Sequence, residues 1–144
     1  MRASGDGVRV YLDEGGGISD LSLKRLAYLI KSGLIGDPIY AWCIQAFGYN
    51  FHLFSNRIED DPYSGTSVHV LLSGLNCGYG GEGPRALVQA LKRLGLPVNA
   101  EEAELIFTSP HIYANFQTKT ITTLFPPTRV VLKDSKNVVE TPVV

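Results

Sequence analysis

Apolar and polar residues alternate along Val8-Arg9-Val10-Tyr11-Leu12, the period of a strand with two unlike faces, and Asp13-Glu14-Gly15-Gly16-Gly17 then turns the chain. The period changes after that turn. Leu23, Leu26, Ala27, Ile30 and Leu34 recur at helical spacing behind Ser19 or Asp20 as a cap, with Gly33 placed to stop the helix. Asp37-Pro38 reads as a cap and first-turn proline for a second, short helix over Ile39 to Phe47, ended by Gly48. Trp42, with Tyr40 and Phe47, would lie on that helix, whose apolar excess fills the core by default or else meets another subunit.

Tyr49 to Phe54 is aromatic and extended, Asn56 to Gly65 is a loop rich in Asp, Asn, Pro and Gly, and Thr66 to Leu72 has the β-branched character of a central strand. The strand feeds Ser73-Gly74-Leu75-Asn76-Cys77-Gly78-Tyr79-Gly80-Gly81-Glu82-Gly83, after which Pro84 opens a helix that buries Leu87, Ala90, Leu91 and Leu94 and ends at Gly95 and Pro97. Ala103 to Phe107 fits either a helix begun by Glu101-Glu102 or a strand, and is read as a strand because Phe107-Thr108 before Pro110 favours an extended end. Ile112 to Phe116, Thr120 to Phe125 and Arg129 to Leu132 add strands, with Pro126-Pro127 interrupting the pairing of the last two. The sum is a single-domain α/β fold over residues 1–132, with a mixed sheet of about five to six strands, about three helices and a β-rich C-terminal half. Residues 133–144 form a polar, Val-rich tail, frayed or used at an interface. The expected core draws on Val10, Leu12, Leu26, Ile30, Val68, Val70, Leu72, Leu87, Leu91 and Ile106.

Composition removes several classes of function. The chain has 144 residues, 44% of them hydrophobic, enough for a core without a metal or disulfide staple. A net charge of −1 supplies no electrostatic footprint for DNA or RNA. The two cysteines, Cys43 and Cys77, have no metal-ligand spacing and suit a reducing cytoplasm. The polar start Met1 to Gly7 lacks the apolar segment of a signal peptide, and apolar runs fall far short of the roughly 18 residues of a membrane span.

The loop before Pro84 carries the main candidate chemistry. Glycines at 74, 78, 80, 81 and 83 permit unusual backbone angles and close approach, and the following helix offers unpaired N–H groups and the positive end of its dipole. Asn76, Cys77, Gly78, Tyr79, Gly80, Gly81, Glu82, Gly83 and Arg85 are therefore expected to bind a small anionic ligand such as a nucleotide or a phosphorylated metabolite. Glu82 opposes an anion unless it faces a hydroxyl, a metal or water. The glycine spacing matches neither a Walker loop nor a dinucleotide fingerprint, so no particular cofactor follows. Asp13-Glu14-Gly15-Gly16-Gly17-Ile18-Ser19-Asp20 locally resembles the phosphate-contacting hairpin of the actin-like ATPases. Membership of that family is rejected: the likeness covers only these residues, Ile18 replaces the usual Thr, and the family's two lobes exceed this length. If the first strand lies beside the strand ending at Leu72, both glycine loops emerge at one sheet edge, where α/β proteins place ligands.

His52, His69 and His111 each stand in an extended apolar segment, and the two-histidine phosphoesterase pattern fails at the hydroxyl positions. Each reads as a half-buried, hydrogen-bonded histidine. Two further functions remain: a small enzyme using Cys77, favoured as thiolate by the helix end, or Glu82; and a self-associating interaction module, a homodimer or higher oligomer using the β-rich half or the Val-rich tail.

Overall fold

A computed structural model describes residues 8–57, 66–124 and 127–132. The elements run β1 (Val8–Leu12), α1 (Ser19–Lys31), β2 (Asp37–Ile44), β3 (Phe51–Arg57), β4 (Thr66–Leu72), α2 (Glu82–Arg93), α3 (Ala100–Thr108), β5 (His111–Asn115), β6 (Thr120–Leu124) and β7 (Pro127–Val131). The strands form one seven-stranded sheet in the order β1-β4-β3-β2-β5-β6-β7. Only β1 and β4 pair in parallel, and every other neighbour is antiparallel. This is an α/β single domain with a strand-rich C-terminal half.

Two-residue periodicity sorts the side chains into two unlike layers. One parity buries Ala41 and Cys43 on β2, Phe51 and Leu53 on β3, Val68, Val70 and Leu72 on β4, and Ile112 and Ala114 on β5. These meet Leu26 and Leu29 of α1, Leu87 and Leu91 of α2 and Ile106 of α3 in one core. α1 packs on α2 and α2 on α3, so the helices form a single layer. The other parity carries no helix among the described residues.

Two segments differ from the sequence reading. Residues 39–44 make up all of β2 after Asp37 and Pro38, and there Ala41 and Cys43 go down into the core while Tyr40 and Trp42 point the other way. β-branched and aromatic side chains favour that pleated surface over a helix, and Pro38 sits at a register shift where a missing N–H is tolerated. Residues 100–108 are helical because Asn99 starts them with a capping box: its side chain accepts from Glu102 N–H at 2.8 Å, and the Glu102 carboxylate accepts from Asn99 N–H at 2.9 Å. β2 thus joins the sheet where residues 103–107 leave it, and the sheet has seven strands against the roughly five to six expected. Val10 and Leu12, expected in the core, are 53% and 45% exposed on the helix-free face, and Ile30 is only partly buried. The expected loop up to Gly65 falls largely, and the tail 133–144 wholly, outside the described residues. No helix among the described residues is long and apolar enough to cross a membrane.

Candidate functional site

The parallel β1–β4 pair brings the two glycine loops together at one sheet edge, as their strand endings require. Asp13, at the end of β1, is the knot between them. Its carboxylate accepts from Gly15 N–H at 2.9 Å, Ser73 N–H at 2.8 Å and Ser73 Oγ at 2.9 Å, and from a short bond donated by Ser22 Oγ. Burial alone would raise the Asp13 carboxyl, but these hydrogen bonds prevail and hold it below its ordinary value. Ser22 Oγ in turn accepts from Gly74 N–H at 2.8 Å, Ser19 Oγ donates to Gly74 O at 2.6 Å, and Tyr49 Oη donates to Asp13 O at 3.0 Å. The two acids that flank the glycine turn, Asp13 and Asp20, have separate tasks: Asp13 is this buried acceptor, whereas Asp20 pairs with Lys24 at 3.2 Å on the surface of α1.

The glycines of the second loop are accounted for mainly by the protein itself. A Cβ on Gly74 would overlap the Ile18 carbonyl; on Gly81 it would lie 2.7 Å from the Tyr79 ring; on Gly83, 2.8 Å from Tyr79 Oη. Gly78 has φ +88° and faces Gln45 and Pro110, and Gly80 alone of the five opens onto free space. The N–H groups of Asn76, Cys77 and Gly78 donate to Gly83 O, Asn76 Oδ1 and Ile106 O. Beside the loop, a cleft of about 300 Å³ between the first turns of α1 and α2 is lined by Ser19, Asp20, Glu82, Arg85 and Gln89. It collects one cation and two carboxylates.

Cys77 is fully buried, its Sγ donating to the Cys43 carbonyl at 3.6 Å. The Cys43 thiol is pushed well above its ordinary value by its hydrogen bond with Cys77 and by burial. Neither thiol has solvent access or an imidazole partner among the described contacts.

The helix-free face of the sheet holds the second group of candidate residues. One row across the strands runs Val10, His69, Phe54, Tyr40, Asn115, and the next runs Leu12, Leu71, His52, Trp42, Tyr113. Phe54 stacks on His69 with centroids 4.2 Å apart and on Tyr40 at 4.7 Å, and Trp42 lies 5.3 Å from His52. Arg129 on β7 is the one formally charged side chain that these two rows reach. Trp42, Ile44, His111, Tyr113, Thr122 and Leu124 enclose a shallow, almost wholly apolar groove of about 470 Å³ on this face.

His52 and His69 meet on this face, with Nδ1 of His52 3.0 Å from Nε2 of His69. His52 Nε2 lies 3.0 Å from the Tyr49 carbonyl oxygen. Burial first, and the neighbouring His52 second, hold His69 below the ordinary histidine value. His111 stands further along on β5, opposite Ile44. No group of three or more His, Cys, Asp or Glu among the described residues could hold a metal ion.

The sequence reading did not anticipate this face, because it placed Tyr40 and Trp42 on a helix. The usable signal was the shared parity of Tyr40, Trp42, His52 and Phe54 on neighbouring strands. No protein-family model, curated protein or solved structure matches the chain.

Proposed function

We propose that the protein is an interaction module that self-associates through the helix-free face of its sheet. The observation that carries this reading is a broad apolar face with nothing packed on it among the described residues. Val8, Val10, Leu12 and Leu124 are 62%, 53%, 45% and 51% exposed there. Seven strands spaced about 4.8 Å apart, rising about 3.3 Å per residue over five residues, span on the order of 500 Å² in projection, before side-chain relief is added. The largest apolar patch of a monomer is about 300–600 Å², and each partner of a standard interface contributes about 800 Å². The projected area is thus a little under two thirds of one partner's share, and side-chain relief adds to it.

A second copy is the occupant that fits. Among the described residues, Arg129 at the end of one aromatic row and Asp37 at the end of the row beside them are the formal charges nearest the centre, so the face has no cluster of one sign to select a charged partner, and two copies meet without like charges at the centre. Nucleic acid fits poorly, since a stacking platform needs cations to follow the phosphates. Closed homodimers are also the commonest assembly.

Val10→Asp tests the reading, because its site is exposed in the single copy and the substitution there should leave the fold within about 1 kcal/mol. Sedimentation velocity at pH 7.5 should show the wild type pairing with concentration and Val10→Asp pairing at least about tenfold more weakly, because it places a carboxylate beside a neutral His69 in an apolar contact. A monomeric wild type, or an unchanged Val10→Asp, contradicts it.

A small-anion site around Asn76 to Arg85 is the second reading, and the α1–α2 cleft with Arg85 favours it. Asp20 and Glu82 in the same cleft oppose it. Stabilisation by a nucleotide or phosphorylated metabolite that disappears in Arg85→Ala would establish it.

A further inference from the structure

We propose that the His52–His69 pair makes self-association proton-controlled: copies pair when it is neutral and separate when it takes up a proton. This rests on the sheet-face reading above. A carbonyl oxygen only accepts, so the 3.0 Å contact with Tyr49 O requires a proton on His52 Nε2. Neutral His52 then offers a lone pair at Nδ1, and the 3.0 Å contact there requires a proton on His69 Nε2. His69 Nδ1 is left as the basic atom. A proton arriving at Nδ1 keeps both hydrogen bonds intact and turns His69 into a cation. A second proton would set two donors and two like charges face to face at 3.0 Å, so the pair holds one.

Among the described residues, the two rows that hold the pair provide no counter-charge. Val10 and Leu12 face the pair from β1, Phe54 from β3, and Tyr40 and Trp42 from β2. The other titratable or charged groups that the described register places on the face are the Tyr40 and Tyr113 phenols, His111, Arg129 and, in the next row beyond Phe54, the exposed Asp37 opposite Asn56; the two rows themselves hold no carboxylate. In a single copy, water can reach the cation, whereas a second copy would cover it with apolar side chains. Attraction to the Phe54 ring acts in both states and leaves the difference unchanged. Burial already holds His69 below its ordinary value in one copy, and pairing lowers it further. The paired state thus binds fewer protons. Association is complete above the single-copy value and weakens as pH falls through it, by up to about 100-fold in the dissociation constant per pH unit for one proton per copy.

Sedimentation equilibrium at pH 7.5 and 5.0 tests this, with circular dichroism confirming the fold at both. The wild type and Glu102→Gln, an acid in the helix layer, should each pair at least about tenfold more weakly at pH 5.0, whereas His69→Gln should change less than about threefold. A wild-type constant equal at both pH values overturns the proposal and leaves the interface standing. So does a pH response that survives in His69→Gln or vanishes in His111→Gln instead. A wild type monomeric at pH 7.5 removes the interface and this control together. Nitrogen-15 imidazole spectra of the wild type give an independent check should His69→Gln fail to fold: both neutral rings should carry the proton at Nε2, and an Nδ1–H tautomer at His69 overturns the assignment.

Discussion

Asp13→Ala is expected to lower unfolding free energy by roughly 3–5 kcal/mol, a loss large enough to threaten folding. The carboxylate is 8% exposed and accepts from two backbone N–H groups and two serine hydroxyls. Alanine removes the acceptor and leaves the Ser73 and Gly15 N–H groups turned toward a cavity, where an unsatisfied donor costs about 1–3 kcal/mol. The damage also spreads along Ser22 to Gly74, because Ser22 Oγ accepts from Gly74 N–H while donating to Asp13. Urea titration measures the loss. The pH dependence gives a second signature. The folded-state value lies below the ordinary 3.8, so the carboxylate's contribution is complete above that value and fades as pH falls through the folded one. The gap between wild type and Asp13→Ala should narrow below about pH 4. A gap of under about 1 kcal/mol at pH 7 would mean that the knot holds nothing together.

Gly74→Ala is expected to cost about 3 kcal/mol or more, although it adds one methyl group. The new Cβ would lie 2.7 Å from Ser19 N and overlap the Ile18 carbonyl. Both are backbone, so no rotamer change relieves the clash. The start of α1 would have to move away from the end of β4, stretching the 2.6 Å bond from Ser19 Oγ to Gly74 O. Gly80→Ala is the informative comparison, since nothing lies within 4 Å of a Cβ there. It should unfold within about 1 kcal/mol of wild type. Equal losses in the two variants would contradict the backbone packing described here.

These glycines show why the loop was conspicuous in sequence yet its meaning was not. Five glycines in eleven residues announce close approach, but sequence cannot say what approaches. At Gly74 it is the β1–α1 connection, and at Gly81 and Gly83 it is the ring of Tyr79. The parallel pairing that joins the two loops was legible as a condition, and Asp13 as an acid in a turn, but the long-range partners Ser73 and Gly74 were not. Strands β1 and β4 and helices α1 and α2 were readable because each has one clean period. Residues 39–44 were not, since Pro38 and Gly48 mimic helix boundaries and an apolar run this short fits either period. That one segment hid the aromatic face, for with β2 misread Trp42 had no sheet to stand on. In α3, the capping box at Asn99 and Glu102 outweighed the extended bias before Pro110.

Trp42 offers the most direct test of self-association through the sheet, because it is the chain's one tryptophan and stands in the middle of the apolar face. Acrylamide quenching of its fluorescence should be followed as the wild-type protein is diluted at pH 7.5. Quenching should increase and emission shift red on dilution, as separation of the copies returns the indole to water. Quenching that stays constant while sedimentation reports the same change from paired to single chains would place the contact elsewhere on the molecule and contradict the account.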